Sequence, residues 1–251
     1  MGEQSRPVRL LSNANRNLAR HRIWTWTLPA LAARLPDGRT VRTCEGAGAC
    51  ARLCFARVGS YQFPAVKARH IRNLQYIVDD LDGWELAMSR ELSHQRFRGA
   101  AVRVHDSGDF FSDEYLCAWL RVMAATPGTR FYAYTKELPR FRRLVEPKAP
   151  SNFAWVYSLG GIHDAALRAG DRVADVFPEE SDIAAARYNS QAECDLLAVD
   201  GPAPVGMSAN ALPHLKRLQG RRTFGQLQAA QDGRDFRPDT FHTTDYASTN
   251  R

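Results

Sequence analysis

Apolar positions recur along this chain with two alternating periods, and the alternation predicts its elements. Ile23-Trp24-Thr25-Trp26-Thr27 is β-branched and aromatic and is stopped by Pro29, as a strand over residues 23–27 would be. Pro36-Asp37-Gly38 marks a turn. Residues 64–80 switch to helical spacing, with Leu74, Ile77 and Val78 on one face and Arg69 and Arg72 elsewhere. A second helix runs through Trp84, Met88 and Leu92 and ends before Gly99.

From residue 100 the rhythm is regular. Strands are predicted over 101–104, 130–135, 153–158 and 172–177. Between them fall a helix capped by Ser112 with Asp113 and Glu114 in its first turn, a basic helix over 138–145, and a short helix after Gly160-Gly161 that ends by Arg168. Short apolar segments at 196–199 and 205–207 precede a last helix near 210–218. Strands alternating with helices imply an α/β fold: a partial or full parallel (β/α) barrel, or a doubly wound sheet. The expected organisation is an N-terminal arm over 1–22, where Asn13, Asn15 and Asn17 disfavour helix, one α/β domain over 23–227, and a polar tail over 228–251.

With 251 residues, 44% hydrophobic and 24% charged, the chain can bury a substantial core. No apolar run approaches the roughly 18 residues of a membrane span. Residues 1–9 lack the apolar segment of a signal peptide, so a cytoplasmic location without membrane attachment is expected. The net charge of +7 gathers at Arg6, Arg9, Arg16, Arg20 and Arg22, at Lys67, Arg69 and Arg72, at Arg140, Arg142 and Arg143, and at Lys216, Arg217, Arg221 and Arg222. These groups are either solvated faces or a surface for nucleic acid.

The cysteines change the picture most. Cys44, Cys50 and Cys54 are spaced C-x5-C-x3-C in a loop over 43–56 that is rich in small residues, and Phe55 follows the last of them. An odd total of five, with three crowded together, argues against a disulfide framework. Three thiolates can hold a [4Fe-4S] cluster with one iron open, whereas a closed zinc site wants a fourth ligand, for which His70 or His105 is available. Cys117, on a helical face, is expected in the core, and Cys194 is isolated.

In parallel α/β folds, ligands sit at the carboxyl ends of strands. Three further polar sets fall there: His105, Asp106, Ser107, Gly108 and Asp109; Tyr134, Thr135 and Lys136; and Ser158 before Gly160-Gly161. Ser107 and Gly108 can bring backbone close to a ligand, Asp109 can accept hydrogen bonds, and Lys136 can neutralise a carboxylate or phosphate. The same Asp-Ser-Gly-Asp run also suits a simple turn. Trp24, Trp26, Tyr132 and Tyr134 are read as core.

The blocks Trp24-Thr25-Trp26-Thr27-Leu28-Pro29-Ala30, Thr43-Cys44-Glu45-Gly46-Ala47-Gly48-Ala49-Cys50 with Cys54-Phe55-Ala56, His105-Asp106-Ser107-Gly108-Asp109-Phe110-Phe111-Ser112, and Phe131-Tyr132-Ala133-Tyr134-Thr135-Lys136 resemble the phage-associated "gene product 88" family. That family carries no well-defined activity. It is itself similar to radical S-adenosylmethionine enzymes, which use a partial barrel and three cysteines after the first strand. The resemblance implies a cluster on Cys44, Cys50 and Cys54, with S-adenosylmethionine on its open iron. Ser107, Gly108 and Asp109, with Thr135 and Ser158, would receive the cosubstrate. His105, Asp106 and Lys136 would shape the catalytic pocket for an unknown substrate, and an electron donor would serve it. The spacing departs from the C-x3-C-x2-C of those enzymes, where an aromatic precedes the last cysteine. The rival expectation is a zinc-stabilised nucleic-acid-binding protein of a phage or mobile element.

Overall fold

A computed structural model describes residues 9–209 and 212–241. Nine strands occur among them: β1 (Ile23–Trp26), β2 (Ala32–Arg34), β3 (Thr40–Arg42), β4 (Ala101–Val104), β5 (Arg130–Thr135), β6 (Phe153–Ser158), β7 (Val173–Phe177), β8 (Asn189–Ser190) and β9 (Val205–Ser208). The α-helices are α1 (Arg16–Ala19), α2 (Cys50–Leu53), α3 (Pro64–Asp79), α4 (Leu81–Leu92), α5 (Asp113–Ala125), α6 (Leu138–Leu144), α7 (Glu180–Ala185), α8 (Leu197–Asp200), α9 (Pro213–Gln219) and α10 (Phe224–Gln231).

Seven strands form one parallel sheet in the order β1-β4-β5-β6-β7-β9-β8, and β2 and β3 make a separate antiparallel hairpin around the turn at Pro36-Asp37-Gly38. The first five strands lie side by side in chain order without the reversal that defines a doubly wound sheet. Among the described residues the sheet ends at β1 and at β8, with no pairing between these two strands. The closed barrel is therefore not formed, and the architecture is an open parallel sheet flanked by helices.

Alternation along the strands gives the sheet two unlike faces. Val102, Val104, Phe131 and Ala133 point to the large core shared with α3 to α6. There Trp84 packs edge-on against Trp119 at 5.0 Å, and Trp26 Nε1 donates to the Tyr115 hydroxyl at 2.7 Å. Ala101, Tyr132, Val156, Ala174 and Val205 point the other way, where Leu196, Ala198 and Val199 cover only part of the face. Register sets Trp26 beside Val104 and Val104 beside Ala133, so the carboxyl ends of β1, β4 and β5 open at one level.

Local chemistry explains most elements. Ser112 accepts from Tyr115 N at 3.1 Å and starts α5 as its N-cap. Asn15, read from sequence as disfavouring helix, instead caps α1, because Asn suits a cap better than a helix interior. Within the arm, Leu10, Leu11 and Leu18 are buried, and Ser12 bridges Thr25 of β1. The apolar segment at 196–199 is largely helical (α8). Helix α10 crosses the 227/228 boundary that composition suggests. Residues 1–8, 210–211 and 242–251, including Arg6, the start of the expected last helix and the end of the polar tail, lie outside the described residues.

Candidate functional site

A cavity of about 490 Å³ opens over the strand ends and the partly covered face. Its walls include Cys44, Cys50, Cys54, Arg103, Asp106, Asp109, Tyr134, Lys136 and Ser158, so the three cysteines and members of all three later polar sets reach one chamber.

The cysteine loop is positioned by the protein's own hydrogen bonds. Asp109 N donates to Thr43 O at 2.7 Å, and Thr43 Oγ1 donates to Pro29 O at 2.6 Å. Gly46 N donates to Glu137 Oε1 at 2.7 Å, and Ala49 N to Gln228 Oε1 at 2.6 Å. Gly48 N and Cys50 N both donate to Gly160 O at 3.1 Å. Such close approach excludes side chains: a Cβ on Gly46 would lie 2.4 Å from Lys136 O.

Burial pushes the Cys44 thiol up to about 12 and raises Cys50 and Cys54 as well; Lys136 partly opposes the rise at Cys50. Neighbouring thiols contribute to the rise at Cys44 and Cys54. Among the described residues, no three His, Cys, Asp or Glu side chains come together to hold a single metal ion.

The other expected residues divide. Gly108, at φ +81°, brings the turn so close to β1 that a Cβ would sit 2.6 Å from Leu28 Cβ, and Ser107 Oγ donates to Leu28 O at 2.6 Å. Asp109 is buried; Oδ1 accepts from Thr135 Oγ1 and Phe110 N, and Oδ2 accepts from Lys136 N, each at 2.8 Å. Asp109 and Thr135 thus tie the β4 and β5 ends together. Lys136 Nζ donates to Ser158 Oγ at 2.6 Å on the cavity wall. Asp106 accepts from the Tyr61 hydroxyl and lies 3.8 Å from Arg103.

His105 lines the chamber with Asp106 to Asp109, while its ring packs 4.5 Å from Phe110, its Nε2 is 2.9 Å from the Tyr115 hydroxyl, and burial lowers its pKa to about 3. The ring of His70 lies 5.8 Å from that of Tyr61, beside Asp106 rather than among the thiols.

Sequence reasoning missed three contributors, Arg103, Glu137 and Gln228; Tyr134, placed at a strand end and also read as core, lines the chamber. An Arg between two valines on a buried strand was a readable signal for the first. Of the basic groups, Arg140, Arg142 and Arg143 are engaged by carboxylates: Arg140 by Asp113, Glu137 and Glu45, Arg142 by Glu146 and Asp171, and Arg143 by Asp113.

Residues 9–236 match the family described as "Gene product 88". The chain belongs to that family. Relatives include the "Gene 88 protein" of Mycobacterium phage L5, 29% identical over 109 residues, and that of Mycobacterium phage D29, 28% identical over 109 residues. Each alignment covers 41% of this chain, and the chain spans 46% and 45% of those relatives' lengths. No solved structure matches it. No helix among the described residues is long and apolar enough to cross a membrane.

Proposed function

We propose that this family member is an iron–sulfur protein of the radical S-adenosylmethionine type. One observation carries the reading: three cysteines from a loop anchored by its own backbone hydrogen bonds reach one wall of a ligand-sized chamber at the carboxyl ends of parallel strands. The donor set fits in its chemistry. It is all sulfur and stops at three, which suits a polynuclear iron centre with an open position better than a closed zinc site. The one-directional order of β1, β4, β5, β6 and β7 is consistent with the open form of a (β/α) barrel.

Cys44, Cys50 and Cys54 would hold the cluster. When bound, a four-iron cluster supplies one-electron chemistry and an iron site for a small cosubstrate. The chain's own residues do the rest. Asp109 ties the turn 105–109 to the end of β5 through Thr135 Oγ1 and Lys136 N. Lys136 presents an ammonium whose partner is a hydroxyl, ready to pair with a carboxylate. Ser158 holds that ammonium in place. Because the thiols are raised by burial, loading the site releases protons and is favoured by higher pH.

The cosubstrate part is tested with anaerobically prepared, chemically reduced protein incubated with S-adenosylmethionine. Formation of 5′-deoxyadenosine that is lost in Cys44→Ala, Cys50→Ala and Cys54→Ala supports the reading. Iron-loaded protein that neither binds nor cleaves S-adenosylmethionine removes the radical assignment and leaves a cluster protein.

A further inference from the structure

Arg103 is a buried charged side chain in the chamber. It leaves β4 toward the partly covered face, and burial works against its charge, while Asp195 and Asp106 keep it protonated. Two carboxylates account for little of its hydrogen-bonding capacity. Nη1 reaches Asp195 at 3.3 and 3.4 Å, long for a charge-assisted bond, and Asp106 stands at 3.8 Å. Among the described residues Nη2 makes no hydrogen bond, and Nε is buried without a partner.

Asp195 does not need the guanidinium to be satisfied. It accepts from the Tyr132 hydroxyl and from the Tyr134 hydroxyl, the latter at 3.3 Å. Tyr134 also supplies a face for the arginine, whose central carbon lies 4.9 Å from the ring centroid. The guanidinium is thus stacked, oriented and mostly unspent, on a wall it shares with Gln191 and Tyr134. A planar fork held this way matches a two-oxygen anion.

From this we infer that Arg103 is the recognition group for an oxyanion, a carboxylate or phosphate, on the small molecule that enters the chamber. Lys136, whose ammonium donates to Ser158 Oγ at 2.6 Å, is a second cation lining the same chamber. The substrate class is therefore a small anionic metabolite anchored at Arg103. The inference rests on reading this cavity as the enzyme's binding chamber.

The test is calorimetric titration of the full chain with inorganic pyrophosphate and with succinate, alongside iron analysis of each preparation. Saturable binding of one equivalent of either probe, weakened at least tenfold in Arg103→Gln and at least threefold in Arg103→Lys, supports the site. The probe that binds separates phosphate from carboxylate ligands. Lys136→Met should weaken the same binding less than Arg103→Lys does. If Arg103→Gln fails to fold, Arg103→Gln combined with Asp195→Asn restores charge balance and is compared instead. Absence of saturable binding by both probes, or equal binding in wild type and Arg103→Lys, overturns the inference. Iron-loaded protein without oxyanion binding removes the Arg103 site alone. Binding that depends on Arg103 in iron-free protein removes the cluster reading alone.

Discussion

Asp109 binds the backbone N–H of Lys136, and the Lys136 ammonium bonds elsewhere. The carboxylate accepts from Lys136 N at 2.8 Å, while the Lys136 ammonium turns to Ser158 Oγ at 2.6 Å. One residue therefore fixes the framework of the chamber, and the other offers a cation to whatever enters.

Asp109→Ala should be among the most destabilising substitutions near the chamber. It leaves Phe110 N, Lys136 N and the Thr135 hydroxyl hydrogen without their acceptor in a buried setting, a loss of about 3–5 kcal/mol. Urea unfolding measures it. A loss below about 1 kcal/mol would show that the β4–β5 tie is not structural.

Gly48→Ala should cost about 2 kcal/mol through displacement of a buried acceptor. Its Cβ would lie 1.9 Å from Gln228 Oε1, which receives Ala49 N. Gly59→Ala has open space and only a φ of +60° to oppose it, so about 1 kcal/mol is expected. A double-mutant cycle between Gly48→Ala and Gln228→Ala should show coupling; strict additivity would mean the two residues do not meet.

Three buried carboxylates titrate high because of burial: Glu137, which holds Gly46 of the cysteine loop, at about 7, and Asp164 and Asp175 at about 6. Asp164 accepts from Gly160 N and Gly161 N, and Asp175 from Gly225 N at the start of α10. Each takes a proton more readily folded than unfolded. The stability they contribute is therefore full below about pH 4 and lost as pH rises through 6 to 7. The difference in unfolding free energy between wild-type protein and Asp164→Asn, followed from pH 4 to 8, should fall over that window. A flat difference contradicts the burial argument.

Metal-free protein should alkylate slowly at its cluster loop. With the Cys44 thiol near 12, its reaction with iodoacetamide at pH 8 should be at least tenfold slower than that of a free thiol near 8.5. Peptide mass spectrometry reads each site. Fast labelling of Cys44 would mean that the loop opens to solvent.

Much of this arrangement was legible in the chain. Ser112-Asp113-Glu114 announced α5, Val102-Arg103-Val104 announced β4, and the cysteine spacing pointed to one loop. Other features were hidden for physical reasons. His105 takes φ +69°, which breaks the strand's alternation and sets its ring against Phe110 and Tyr115, contacts that position in sequence does not reveal. Strand β8 has two residues, too few to show a period. Helix α10 carries one glycine and three glutamines in eight residues, which mask it, although Thr223 and Gln226 form a capping box. The open sheet could not be told from a closed barrel, because closure depends on which strands pair and not on what each strand contains.

Anaerobic purification followed by an absorption spectrum with iron, sulfide and zinc analysis tests the central claim most directly. A broad band near ~400 nm with about four irons and matching sulfide per chain, lost when Cys44, Cys50 or Cys54 becomes Ala, is the predicted result. A colourless protein with one zinc, or with no metal at all, would contradict it.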